Sequence, residues 1–168
     1  MTSATTRTLI LLRHAKSSYP DGVADHDRPL APRGIREGAL AGDWIRANLP
    51  AVDRVLCSSA TRTRQTLART GIEAPAQFVE RLYDATPGIA IDVINGLDGD
   101  AHTLLVIGHE PVMSALALGL AGPSSSDAAA GQIAAKYPTS AIAVLQTDRP
   151  WSALELHGAT LTAFHVPR

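Results

Sequence analysis

Two arginines and two histidines in this chain have the side-chain chemistry to hold a compact anion, and all follow apolar runs. Arg13-His14 directly follows Leu9-Ile10-Leu11-Leu12, Arg62 comes shortly after Val55-Leu56-Cys57, and His109 follows the run Thr103 to Ile107 across Gly108. A guanidinium presents a planar fork of donors that matches a phosphate edge. An imidazole adds a ring nitrogen that donates or accepts according to its protonation. Taken singly, such residues are more often solvated, ion-paired or structural. Brought to one point, with the positive ends of helices expected after Ser58 and Gly108, they favour a dianionic tetrahedral group such as phosphate.

Positioning them falls to an alternation of strands and helices. The fold is expected to begin at Thr8, after a loose lead-in over residues 1–7, with a strand at Leu9 to Leu12 buried on both faces. Ser17 to Pro32, rich in charge and in Pro and Gly breaks, predicts an ordered loop over the top of the sheet. A helix follows from Gly34 to Leu49, stopped by Pro50. Val52 to Cys57 predicts a second strand, and Ser58-Ser59 begins a helix that runs through Arg69 and closes at Gly71. Phe78-Val79 marks a short third strand, Ile89 to Leu97 a helix, and Thr103 to Ile107 a buried strand. Gly108-His109-Glu110-Pro111 then turns into an apolar helix through Leu120. Gly122 to Gly131 reads as a surface loop. Ala141 to Leu145 and Leu161 to Val166 read as late strands joined through Trp151 and Gly158, giving the sheet an antiparallel end. The result is one domain over residues 1–168: an α/β three-layer sandwich with a mostly parallel central sheet flanked by helices, its ligands beyond the carboxyl ends of the strands.

Composition narrows the function classes. The chain has 168 residues and a formal net charge of -1, and only Lys16 and Lys136 among its 15 basic residues are lysine. No basic tract of the kind that follows a nucleic-acid backbone occurs, so nucleic acid is not expected as a partner and any anion site must be local. No run approaches the roughly 20 apolar residues of a membrane span, and the charged N-terminal stretch does not suit a secretory leader. Cys57, the single cysteine, excludes an internal disulfide and reads as a small buried hydrophobe. A soluble cytoplasmic protein is the expectation.

Arg13-His14-Ala15 after an apolar strand resembles the Arg-His-Gly or Arg-His-Ala signature of the histidine phosphatase superfamily. Ser58-Ser59-Ala60-Thr61-Arg62-Thr63-Arg64-Gln65-Thr66 resembles that family's second motif, in which the Arg three residues before Gln binds phosphate. Gly108-His109-Glu110-Pro111 resembles the segment bearing its second His. Within the superfamily, Arg13 to Ser17, the compact length, and Asp27-Arg28-Pro29-Leu30 followed by Gly34 are most similar to SixA-like phosphohistidine phosphatases. The resemblance implies a phosphoglycerate mutase-like fold, with little spare length for the capping insertions of the larger branches.

It also implies roles. His14 would attack phosphorus in line and form a phosphohistidine that water hydrolyses, while Arg13, Arg62 and His109 hold the equatorial oxygens. Neighbouring Arg13 is expected to disfavour protonation of His14. Relatives acting on alkyl phosphates place a carboxylic acid near a Leu-x-Glu segment. The corresponding Leu82-Tyr83-Asp84 makes Asp84 the candidate general acid, with Glu80 in reserve and solvated loop carboxylates as the alternative for both. A P–N substrate needs that proton least, so a phosphorylated protein is the expected partner, with a small phosphate ester as the alternative. No cofactor is expected. His26, Asp27 and Arg28 either line the pocket or order the loop, Arg64 points away from Arg62's face, and His102, His157 and His165 are read as structural or surface residues. A metal-dependent hydrolase is disfavoured because no Cys-x-x-Cys or His-Glu-x-x-His cluster occurs and two arginines oppose a divalent cation. A pure phosphate-binding module would not need an in-line nucleophile. A mutase would need a cap to keep its intermediate from water.

Overall fold

The computed structural model describes residues 5–168. One six-stranded sheet runs in the order β3-β2-β4-β1-β5-β6, built from β1 (Arg7–Arg13), β2 (Arg54–Ser58), β3 (Ala76–Val79), β4 (Thr103–Gly108), β5 (Ile142–Thr147) and β6 (Thr160–His165). The first four strands pair in parallel, and β5 lies antiparallel to both β1 and β6. The antiparallel end expected from the sequence is therefore a two-stranded unit.

Burial on both faces explains the continuous apolar runs of the central strands. Ile10 and Leu12 of β1 face α1 (Pro32–Asn48) and α2 (Thr61–Thr70), sharing a core with Ala41, Ile45, Val55 and Ile107. Leu9 and Leu11 face α3 (Pro87–Asn95), α4 (Val112–Leu120) and α5 (Asp127–Ala135), sharing a core with Leu56, Val106, Met113 and Leu116. Each such side chain contributes about 1.5–3 kcal/mol by leaving water, so both faces of β1 and β4 hold the strand ends rigidly. This is the three-layer α/β sandwich that the alternation predicted. Among the described residues, no helix is long and apolar enough to cross a membrane.

Several boundaries shift for identifiable reasons. Of the expected lead-in, residues 1–4 lie outside the described residues, and Arg7 already belongs to β1, its guanidinium 2.9 Å from Asp100. α1 starts two residues before Gly34 because Pro32 fits the first turn. α2 begins at Thr61 with no side-chain cap, rather than at the Ser58-Ser59 pair, while Gly71 closes it in the left-handed region as expected (φ 70°). The largest correction concerns residues 122–131. Ser126 accepts the Ala129 N–H at 3.1 Å and opens α5, which buries Ala129 and Ile133. Its Ala-rich, weakly patterned sequence looks like loop composition, yet only two apolar contacts on one face are needed to seat the helix.

Two glycines of α1 bring other segments close. A Cβ at Gly34 would stand 2.1 Å from the Lys16 carbonyl oxygen, and one at Gly42 would stand 2.0 Å from that of Thr70. α1 thus packs against the main chain that leaves β1 and against the end of α2.

Candidate active site

Sheet register assembles the site. β1 and β4 pair so that Arg13 lies opposite Gly108, and the His14 N–H continues the ladder to the Gly108 carbonyl at 3.0 Å. The two residues that follow, His14 and His109, leave adjacent strand ends with ring centroids 5.2 Å apart. His14 is buried, and its Nδ1 lies 2.7 Å from the Ala15 carbonyl oxygen. A carbonyl only accepts, so Nδ1 carries the proton and Nε2 keeps its lone pair. Burial, with smaller contributions from His109, Arg62 and Arg13, pushes His14 down to about 3. The expected direction holds, but desolvation outweighs the arginine that the sequence singled out.

Both arginines are tied at one end and free at the other. Arg13 donates from NH1 to the Tyr137 carbonyl at 2.8 Å, and Tyr137 is itself fixed by its O–H bond to the Leu11 carbonyl at 2.6 Å. Arg62, the second residue of α2, donates from NH1 to the Asp25 carbonyl at 2.7 Å and from NH2 to the Asp25 carboxylate at 3.1 Å. In each arginine Nε is buried without a partner. A guanidinium held by NH1 still offers a side-on fork of Nε and NH2, the geometry that pairs with two phosphate oxygens.

His109 completes the set. Its Nε2 lies 2.8 Å from the Ser58 hydroxyl, which also receives the Ala60 N–H at 3.4 Å. A hydroxyl both donates and accepts, so this contact is compatible with either tautomer of His109, and its Nδ1 is buried without a partner. Burial first, then Arg62, lowers His109 to about 4, so this ring is neutral at pH 7. The site therefore combines one fixed lone pair on His14 with unpartnered nitrogens on Arg13, Arg62 and His109. These are the four residues that the sequence brought forward.

The carboxylates divide. Asp84 is exposed, takes a left-handed conformation (φ 57°) and lines, with Arg62, Tyr83, His109 and Glu110, a hollow of about 240 Å³. Glu80 does not line it; its carboxylate accepts the Ser59 hydroxyl at 2.5 Å, and that hydroxyl lies 3.0 Å from His26 Nε2. The start of α4 departs from expectation, because Glu110 accepts both the N–H and the hydroxyl of Ser114 at 2.7 and 2.8 Å. A carboxylate thus occupies a helix end that was expected to bind an anion.

His26 packs edge-on against Tyr83 with centroids 4.8 Å apart, and Arg28 bonds Asp25, Ser17 and the Ser18 carbonyl, so both order the loop. Arg64 points away from the site and stacks over Phe78 at 4.1 Å. His165 stacks on Trp44, while His102 and His157 are exposed. Cys57 is buried and its thiol is pushed up to about 12 by burial, so it is an inert core residue. Among the described residues, no three His, Cys, Asp or Glu side chains are grouped to hold a metal ion.

Sequence reasoning passed over Asp25, Ser58, Thr66 and Tyr83. Ser58 and Thr66 stand inside the second motif and could have been found there; Asp25 belongs to no pattern, Tyr83 is only the variable position of Leu82-Tyr83-Asp84, and the two meet only in three dimensions.

Comparisons with known proteins point to one family and one fold. The family model described as Histidine phosphatase superfamily (branch 1) matches residues 9–91. The uncharacterized protein Rv1276c of Mycobacterium tuberculosis is 63% identical over 94% of this chain and 100% of its own. The structure of SixA from Nakamurella multipartitia superposes with a TM-score of 0.89 at 39% identity, covering 96% of each chain. Phosphohistidine phosphatase SixA of Escherichia coli is 27% identical over 83% of this chain and 85% of its own.

Proposed function

Because this chain belongs to the histidine phosphatase superfamily and is SixA-like within it, we propose that it removes phosphoryl groups from phosphohistidine in proteins, through a covalent intermediate on His14 and without a metal. The observation that carries this reading is the fixed tautomer of His14, whose Nδ1–H is held by the Ala15 carbonyl. Its ring lies 5.2 Å, centroid to centroid, from that of His109, and Arg13, Arg62 and His109 each keep one side-chain nitrogen without a partner.

In the first step the Nε2 lone pair of His14 bonds to phosphorus as the substrate's P–N bond breaks, and the electron pair of that bond stays on the substrate nitrogen. A phosphoimidazole already protonated on its other ring nitrogen leaves as neutral imidazole and needs no further proton. In the second step a water oxygen bonds to phosphorus, the P–Nε2 bond breaks with its pair returning to His14, and one water proton passes to solvent. Arg13 and Arg62 hold equatorial oxygens through Nε and NH2, and the His109 Nδ1–H donates to a third. The two arginines supply preorganised positive charge, and His109 a neutral donor, where negative charge develops in the transition state. The positive surroundings themselves neutralise the phosphoryl group, so no metal is required for that purpose.

Asp84 favours a second reading. Its carboxylate lines the hollow beside Arg62 and His109, where it would serve as general acid for the alkoxide leaving group of a small phosphate ester.

The test is hydrolysis by chelator-treated protein of a phosphohistidine protein and of a panel of phosphate monoesters, with wild type and His14→Ala in parallel. Preference for the P–N substrate, with turnover reduced on the order of 10⁴-fold in His14→Ala, is the expected result. Faster turnover of a monoester moves the substrate to small molecules, activity lost to the chelator removes the metal-free mechanism, and a His14→Ala variant that keeps half its activity removes the covalent one.

A further inference from the structure

Asp25 is the least expected member of the site. It places a carboxylate on the arginine assigned to the phosphate and so opposes, by its charge, the ligand that the pocket is built to take. Its side chain is 57% exposed yet fully engaged. Oδ1 accepts Arg28 Nε at 3.1 Å, Oδ2 accepts Arg62 NH2 at 3.1 Å and the Tyr83 hydroxyl, and the main-chain carbonyl accepts Arg62 NH1 at 2.7 Å. The Tyr83 hydrogen bond, with those of Arg28 and Arg62, holds the carboxyl well below the usual carboxylate range. It is an anion at every working pH.

A group that weakens anion binding through its charge must contribute something else, and the hydrogen bonds indicate what. Asp25 takes the end-on edge of the Arg62 guanidinium, NH1 and NH2 together, and leaves the Nε edge buried and unpartnered. We propose that Asp25 is a positioning residue that selects which edge of Arg62 meets the phosphoryl group, presenting the Nε and NH2 fork and withholding NH1. Arg28 and Tyr83 hold Asp25 in turn, so segments on either side of the pocket, the loop after β1 and the turn after β3, fix one guanidinium plane. Without Asp25, Arg62 is free to rotate about its last bonds and to meet a phosphate end-on, displaced from the line of attack. A misplacement of that size near the reacting atoms costs on the order of 10²-fold in rate.

This inference rests on the proposed phosphatase reading, and its test separates the two. Asp25→Ala, Asp25→Asn and Tyr83→Phe are compared with wild type for kcat and KM on a common phosphoryl substrate, for the pH profile of kcat, and for thermal stability. In parallel, the 15N–1H signal of Arg62 Nε is followed during titration with inorganic phosphate, a readout that needs no turnover. The expected result is a 10- to 100-fold loss of kcat in Asp25→Ala with KM changed far less, and recovery to within a few-fold in Asp25→Asn, whose amide oxygen still accepts from Arg62. Tyr83→Phe should lie between wild type and Asp25→Ala, the pH profile should keep its shape, and the Arg62 Nε signal should shift with phosphate in wild type but not in Asp25→Ala. Equal losses in the Ala and Asn variants with a vanished limb of the pH profile would make Asp25 a proton donor instead. Unchanged or raised kcat with tighter phosphate binding in Asp25→Ala would make it a competitor for the site, and either outcome overturns the proposal. If wild type turns over no phosphoryl substrate, the phosphatase reading fails, while a phosphate-induced shift of Arg62 Nε that disappears in Asp25→Ala still supports the positioning role.

Discussion

The Thr66 hydroxyl joins the two motifs of the site, accepting the Ala15 N–H at 2.9 Å while donating to the Arg62 carbonyl at 2.7 Å. One fully buried side chain on α2 thus fixes the main chain just beyond the proposed nucleophile and the main chain of the proposed phosphate-binding arginine. Thr66→Val keeps the shape and leaves a buried N–H without a partner, at a cost of about 1–3 kcal/mol. It is expected to lower thermal stability by that amount and kcat by about 10-fold, because small displacements of reacting groups are costly; a variant with wild-type kcat would separate the hydroxyl from catalysis.

Acid should affect stability before it affects the nucleophile. Folding holds His14 at about 3 and His109 at about 4, below the ordinary value of 6.5. The unfolded chain therefore takes up protons on these two residues as pH falls through 6.5, whereas the folded chain does not. Stability is full above that value and is lost as pH falls, the loss levelling off below about 3 to 4. For His14 alone the loss between pH 7 and pH 5 is about 2 kcal/mol. Denaturant titrations at the two pH values should show that difference shrinking in His14→Ala. The acid limb of kcat/KM should stay below pH 5 once the titration of the substrate itself is taken into account, and a limb near 6.5 would contradict a neutral, buried nucleophile.

Asp84→Asn distinguishes the leaving groups. Asn tolerates the left-handed backbone at this position, so the substitution removes the proton without straining the turn. Hydrolysis of phosphohistidine is expected to change less than 3-fold, and hydrolysis of an alkyl phosphate to fall by about 10²-fold where Asp84 acts as acid. Equal, large losses on both substrates would assign Asp84 a role in binding.

Gly34→Ala probes how closely α1 supports the site. The added Cβ would meet the Lys16 carbonyl oxygen at 2.1 Å, so the segment following His14 must move. A loss of stability of about 1–3 kcal/mol is expected, accompanied by a fall in kcat/KM. Gly42→Ala places its Cβ 2.0 Å from the Thr70 carbonyl oxygen, at the far end of α2. It should show a comparable loss of stability, with activity at permissive temperature close to wild type.

Much of this was legible in the chain because the informative residues sit where strands end. Leu9 to Leu12 and Thr103 to Ile107 are apolar on every side, which requires burial on both faces, and Arg13, His14 and His109 must then emerge together at one end of the sheet. Asp25 was not legible. It reaches Arg62 across 37 residues and Tyr83 across 58, and a lone aspartate in a charged loop has the same appearance whether solvated or clamped. α5 escaped for the opposite reason, since Gly122 to Gly131 holds the cap Ser126 and the core residue Ala129 but has the composition of a loop. The lowered affinity of His14 for protons was predicted in direction, but its main cause, burial, depends on packing that no local pattern reveals.

The two site arginines each give one nitrogen, NH1, to a main-chain carbonyl and keep another, Nε, unspent. A guanidinium can serve two masters in a single plane. An ammonium carries its three donors on one nitrogen, so a lysine at position 13 or 62 could not hold the scaffold carbonyl and at the same time present a planar two-nitrogen fork to the phosphoryl group. The exchange usually regarded as mildest among basic residues is therefore closed at both positions, and the scarcity of lysine in this chain is, at these two points, a requirement of architecture and more than a habit of composition.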